Sequence, residues 1–260
     1  DLYGATYALL ERMFTRLGAR VRFVDVTDLA AVGRAVDEER PAAVLCEIIS
    51  NPLMKVADVP ALVELTHAAG AALIVDSTFA SPYLFRPLDW GADYAVHSVT
   101  KYLAGHGDVM AGVVACSAAR CGDLREGQKL LGANLAPEQA WLALRGLKTL
   151  PLRMRQHCAN AQAVAEWLAG HPAVARVHYP GLAAHPQHPV AARLFKGRGF
   201  GGMVSFDLRD AGRADTRDVL DSQSALIEAK NALTSALINL AIARLEFSSD
   251  TGALRVHGDG

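Results

Sequence analysis

Apolar residues in the first half of the chain come in short, nearly unbroken runs. Ala43 to Ile49, Ala71 to Val75, Tyr94 to His97 and Met110 to Cys116 all have the length of a strand. None alternates with polar residues, which predicts strands of a mostly parallel sheet covered on both faces. Arg20 to Asp25 reads as one more strand. Between the runs, Asp28 to Glu39 carries Leu29, Val32 and Val36 on one helical face, and Val59 to Ala69 has helical spacing as well. Pro41 stops the first of these helices. Strands alternating with helices predict an α/β fold.

The second half changes in pattern. Pro137 to Gly170 is rich in Ala, Leu and Arg and reads as helix broken around Pro151. A strand over Val174 to Tyr179, a helix from Pro189 to about Lys196 and a strand over Met203 to Leu208 follow, an α+β section suited to a smaller second domain. Thr216 to Phe247 holds neither Pro nor Gly, and Leu226, Ala229, Leu233, Ala236, Leu240, Ala243 and Phe247 repeat at heptad spacing. That predicts one long helix with a narrow seam. The division expected is 1–140, 141–212 and 213–260.

Chemistry concentrates where two apolar runs stop. The run ending at Val75 gives way to Asp76, and the run ending at His97 leads into Ser98-Val99-Thr100-Lys101. An acid and an amine thus stand at the carboxyl ends of buried strands, the rim where open α/β sheets bind ligands. A lysine able to form a Schiff base, an acid for a protonated pyridine nitrogen and hydroxyls for a phosphate are what pyridoxal phosphate requires. Ser98 and Thr100 stand three residues and one residue before the lysine. Tyr3 could lay an aromatic face on a flat ring. A nicotinamide dehydrogenase would need a GxGxxG turn directly after a strand, and none is present.

Composition narrows the class of function. The net charge of −1 does not suggest a nucleic-acid or membrane partner. Cys46, Cys116, Cys121 and Cys158 form no CxxC pair, so they read as reduced thiols of a cytoplasmic protein. His185 and His188 resemble a metal pair only by spacing, and no metal site is expected. His97 and His106 read as structural hydrogen-bonding residues, and Trp90, Trp141 and Trp167 as packing residues.

The segments Asp76-Ser77-Thr78-Phe79-Ala80-Ser81-Pro82, Arg86-Pro87-Leu88, Gly91-Ala92-Asp93 and His97-Ser98-Val99-Thr100-Lys101-Tyr102-Leu103-Ala104-Gly105-His106-Gly107-Asp108-Val109 closely resemble the Cys/Met-metabolism pyridoxal-phosphate enzymes. That group includes cystathionine γ-synthase, cystathionine γ-lyase and methionine γ-lyase. Leu2-Tyr3-Gly4, Glu47 to Pro52, Leu144 to Leu150, His178 to Leu182 and Gly201 to Phe206 are similar to further family segments in family order, so the likeness covers residues 1 to about 209. It implies a fold-type I large domain, a mostly parallel sheet with helices on both faces, followed here by a partial small α+β domain and the long C-terminal helix. It implies Lys101 as the Schiff-base lysine and Asp76 as partner of the ring nitrogen. It also implies Ser98 and Thr100 at the phosphate, Tyr3 stacked on the ring and active in proton transfer, and Asn51 near the cofactor hydroxyl. The implied substrate is a small sulfur amino acid, handled by γ-elimination or γ-replacement with a lean toward a lyase. The implied assembly is a homotetramer built as a dimer of dimers.

Two family parts are not visible. The glycine-bearing phosphate loop is expected before Asp1, and the arginine segment that clamps the substrate carboxylate has only a faint echo at Leu254-Arg255-Val256. The long helix instead resembles the helical hairpins of channel-tunnel efflux proteins. The chain is therefore expected to be an incomplete or fused form of low activity. The competing expectation is a non-catalytic assembly protein that works through its final helix.

Overall fold

The computed structural model describes residues 2–209. Strands β1 (Ala43–Glu47), β2 (Ala72–Asp76), β3 (Tyr94–Ser98) and β4 (Gly112–Cys116) form one sheet in that order. β1, β2 and β3 run parallel, and β4 returns antiparallel beside β3. The sheet is thus mostly parallel, as the unbroken apolar runs require, although those runs carry no sign of the reversed direction of β4. β5 (Val174–His178) and β6 (Ser205–Leu208) pair antiparallel in a separate two-stranded sheet.

The helices are α1 (Gly4–Ala8), α2 (Leu29–Glu39), α3 (Val59–Ala68), α4 (Ser81–Leu84), α5 (Cys121–Leu131), α6 (Pro137–Leu147), α7 (Leu150–Ala169) and α8 (His188–Phe195). Local signals set their ends. The Asp28 carboxylate caps α2 by accepting the Ala31 N–H at 2.9 Å. Pro151 does not break a helix; it sits in the first turn of α7, where its missing N–H has no helical partner to lose, and the break falls at residues 148–149.

The core lies against the sheet. Leu73 and Val75 of β2 are fully buried, as are Ile48, Ala57, Val59 and Leu62, and Val32, Ala35 and Val36 of α2 are buried too. Removing such side chains from water is the main favourable contribution to the fold. Phe85 and Phe195 meet edge to face beneath Trp90, whose ring also carries the Lys196 ammonium.

Two expectations are corrected. Arg20–Asp25 is irregular and pairs with no strand. An apolar groove lined by Val21, Phe23, Val44 and Cys46 separates it from β1, and Phe23 stacks on Tyr7 instead. Trp141 and Trp167 are 62% and 65% exposed, so of the three tryptophans only Trp90 packs against the core. The helix expected over 216–247 and the echo at Arg255 lie outside the described residues.

Candidate active site

Glu47, Asp76 and Ser98 are the last residues of β1, β2 and β3. Because these strands are parallel, all three stand on one rim of the sheet. Glu47 is the register partner of Asp76, and Asp76 of Val96. Thr78 links the two ends singled out by sequence. The Asp76 Oδ1 accepts the Thr78 N–H at 2.9 Å, and the Thr78 Oγ1 accepts the Ser98 N–H at 2.8 Å. An Asp-x-Thr turn holds its acid in place with its own main chain.

Lys101 follows directly. It lies within a wide helical turn, Val99–Leu103, but leaves helical geometry there with φ −91° and ψ −121°. The turn is closed around it by Ala104 N–H to Val99 O and Gly105 N–H to Lys101 O, both 2.9 Å. The Lys101 side chain is exposed, and among the described residues its amine makes no hydrogen bond or ion pair. Thr100 fastens the turn to the residue before β4, its Oγ1 accepting the Ala111 N–H at 3.0 Å and lying 3.4 Å from the Ala111 carbonyl.

Tyr3 and Asn51 come together through a residue that sequence reasoning passed over. The Glu47 Oε1 accepts the Tyr3 N–H at 2.7 Å, and its Oε2 accepts the Asn51 N–H at 3.1 Å. Glu47 is 8% exposed. Burial pushes its carboxyl above the usual range and the Asp76 charge adds to that, while the Tyr3 and Asn51 N–H groups oppose both. The Tyr3 ring is half exposed. A charged residue inside the apolar run Ala43 to Ile49 was the available signal for Glu47.

Two further residues frame the site. His97 is buried, its Nδ1 has no hydrogen-bond partner among the described residues, and burial holds its pKa below the ordinary value although the Asp76 charge works the other way. His106 makes the structural bond expected of it, Nδ1 to Ala104 O at 2.7 Å. Arg153 of α7 reaches across to the lysine turn, donating to Tyr102 O at 2.7 Å, Leu103 O at 3.4 Å and Gly146 O at 2.8 Å. Gly146 lets α6 come so near that a Cβ there would meet the Ala104 backbone.

Among the described residues no group of three or more His, Cys, Asp or Glu could hold a metal ion. His185 accepts the Gln187 N–H, and His188 contacts the Pro180 carbonyl. None of the described helices is long and apolar enough to cross a membrane.

The model of the Cys/Met metabolism PLP-dependent enzymes matches residues 1–242, past the last quoted motif near residue 209. A cystathionine gamma-synthase of Mycobacterium tuberculosis is 42% identical over 272 residues, 98% of this chain and 68% of the relative. An L-methionine gamma-lyase of Pseudomonas putida is 45% identical over 212 residues, 80% of this chain and 52% of the relative. The crystal structure of a cystathionine gamma synthase from Xanthomonas oryzae pv. oryzae in complex with cystathionine matches with a TM-score of 0.78 at 42% identity, covering 81% of this chain and 54% of that one. The chain spans about half to two-thirds of the length of these relatives. It belongs to the Cys/Met metabolism family of pyridoxal-phosphate-dependent enzymes.

Proposed function

We propose that this chain carries the cofactor-binding part of a trans-sulfuration enzyme, in which Lys101 holds pyridoxal phosphate and acts on a sulfur amino acid by γ-elimination or γ-replacement. One observation carries the reading: Asp76 and Ser98 close neighbouring parallel strands and are tied through Thr78, with a primary amine three residues beyond Ser98 that has no partner among the described residues.

The donor set fits the group. Asp76 presents a carboxylate for a protonated ring nitrogen, and its Oδ1 is already oriented by the Thr78 N–H. The Ser98 Oγ makes no hydrogen bond among the described residues and is available to a phosphate oxygen. The Thr100 hydroxyl joins it by giving up the long 3.4 Å contact to the Ala111 carbonyl. Tyr3 offers a half-exposed ring to stack on the cofactor and to pass a proton, and Asn51 an amide for the cofactor hydroxyl. When bound, the cofactor supplies an electron sink for a substrate carbanion. Lys101 Nζ would take and return protons at the substrate carbons, a role that suits an exposed amine.

The division of sheets supports a cofactor-binding domain over 1–140 and part of a smaller domain over 141–212, since β1–β4 lie in the first and β5–β6 in the second. The substrate is proposed to be a thioether or activated ester of a small amino acid, with a lean toward the lyase reaction. The solved relative in complex with cystathionine supports that class. Assembly as a homotetramer and residence in the cytoplasm complete the proposal, the latter supported by four unpaired cysteines. Because the chain spans only part of its relatives, the 260 residues alone are expected to turn over slowly.

Borohydride reduction after incubation with pyridoxal phosphate tests the reading independently of turnover. The label is expected on the peptide containing Lys101, and Lys101→Ala is expected to abolish both the label and the visible absorption band. Label on another lysine would overturn it.

A further inference from the structure

We propose that Glu47 is a positioning residue of this site, a buried carboxylate that fixes the main chain of Tyr3 and Asn51 beside Asp76 and so sets where the ring and the amide facing the cofactor stand. The inference rests on the function proposed above, which gives Tyr3, Asn51 and Asp76 their roles.

The geometry is specific to a carboxylate. Each oxygen is used by one N–H from a different segment, Tyr3 at the entry to α1 and Asn51 in the loop after β1. Glutamine would present one acceptor and one donor, and the donor would face an N–H. A buried strand end is ordinarily apolar, and a carboxylate there costs desolvation that only its hydrogen bonds offset. Glu47 places neither of those two bonds within the sheet. Among the described residues, the bond to Tyr3 is the only hydrogen bond that joins α1 to β1.

Glu47 also stands in the right place. As register partners on adjacent parallel strands, Glu47 and Asp76 project to the same face, roughly 4.8 Å apart along the hydrogen-bonding direction. Thus the carboxylate that would hold the ring nitrogen and the one that holds Tyr3 and Asn51 form a single row. A shift of Glu47 moves the stacking ring relative to Asp76.

The test uses the 260-residue chain with Glu47→Gln and Glu47→Asp. Three quantities are read: affinity for pyridoxal phosphate, circular dichroism of the visible band, and amide hydrogen exchange of Tyr3 and Asn51 without cofactor. Glu47→Gln is expected to weaken cofactor binding about tenfold, the loss of one charge-assisted bond. It should also alter the dichroism and speed exchange at the amide left facing a donor. Glu47→Asp, charged but a methylene shorter, is expected to fall between. Wild-type affinity and dichroism in a folded Glu47→Gln, with Lys101→Ala still colourless, would overturn this inference and leave the proposed function standing. If Glu47→Gln does not fold, the same result from Glu47→Asp overturns it. A visible band that survives in Lys101→Ala would sink both.

Discussion

Arg153 donates to the carbonyl oxygen of Tyr102, the residue after Lys101, at 2.7 Å from a position 51 residues further along the chain. The same guanidinium reaches Gly146 O, and its Nε donates to the Thr149 Oγ1 at 3.0 Å. A planar fork can satisfy several carbonyls at once, whereas an ammonium cannot reproduce that geometry. Arg153→Lys is therefore expected to cost about 2 kcal/mol in stability. Hydrogen exchange should speed up at the Ala104 and Gly105 amides, which close the lysine turn. Urea denaturation and exchange together check this, and an unchanged exchange rate at residues 104–105 would show that the clamp does not hold the turn.

Two glycines make opposing predictions. A Cβ on Gly146 would clash with the Ala104 carbonyl oxygen, a backbone atom that cannot swing aside. Gly146→Ala is expected to destabilise by about 3 kcal/mol and to weaken cofactor binding, because α6 would be pushed off the lysine turn. Gly33, inside α2, meets only a Leu65 methyl at 3.5 Å, an ordinary contact. Gly33→Ala is expected to stabilise by about 0.5–1 kcal/mol through helix propensity. Denaturant midpoints of the two variants separate these effects.

The parts of this site legible in the sequence are those set by local pattern. Asp76 and Ser98 stand out because apolar runs end at them, and strand ends on a parallel sheet share one rim whatever the long-range packing. The direction of β4 was not legible, since an apolar run reads the same for both directions. Arg20–Asp25 has the composition of a strand, but pairing depends on a neighbouring edge, which local composition does not reveal. Arg153 is one arginine among several in a helical stretch, and only a contact across 51 residues gives it meaning. Glu47 was visible as an acid within an apolar run, but that β1 ends at it, and that two N–H groups from a helix entry and a loop meet it there, no local rule foretells.

The buried His97 gives a pH dependence. Its pKa in the fold lies below the ordinary 6.5, chiefly because burial disfavours the imidazolium. Below 6.5 the unfolded chain therefore binds more protons at this position than the folded one. The contribution of His97 to stability is present above 6.5 and is lost as the pH falls through that value toward the lower folded one. His185, also buried and shifted down by burial, acts in the same direction. His97→Phe is expected to flatten the acid side of the profile of melting temperature against pH, leaving a residual slope from His185. A profile with an unchanged acid slope would assign the dependence elsewhere.

Asp93 offers a control at the opposite rim, where β3 begins. Its Oδ2 accepts the Leu73 N–H at 2.7 Å and the His67 Nε2 at 3.0 Å, while Oδ1 pairs with the Arg120 guanidinium at 2.5 Å. Asp93→Asn replaces one acceptor with a donor that must face a donor, so the variant is expected to lose about 2 kcal/mol. The partial exposure of Arg120 moderates that loss. Burial works against the Asp93 charge, but its hydrogen bonds and the Arg120 charge outweigh burial and hold the carboxyl below 3.8. That share of stability is present above 3.8 and disappears as the pH falls through the lowered value, so the asparagine variant should lose part of its acid sensitivity. Asp93 lies at the amino end of β3 and Ser98 at its carboxyl end, so affinity for pyridoxal phosphate is expected to change little. A fall in affinity as large as the fall in stability would mean that the two rims are coupled, and that strand placement, beyond the residues of the carboxyl rim, sets the geometry around Lys101.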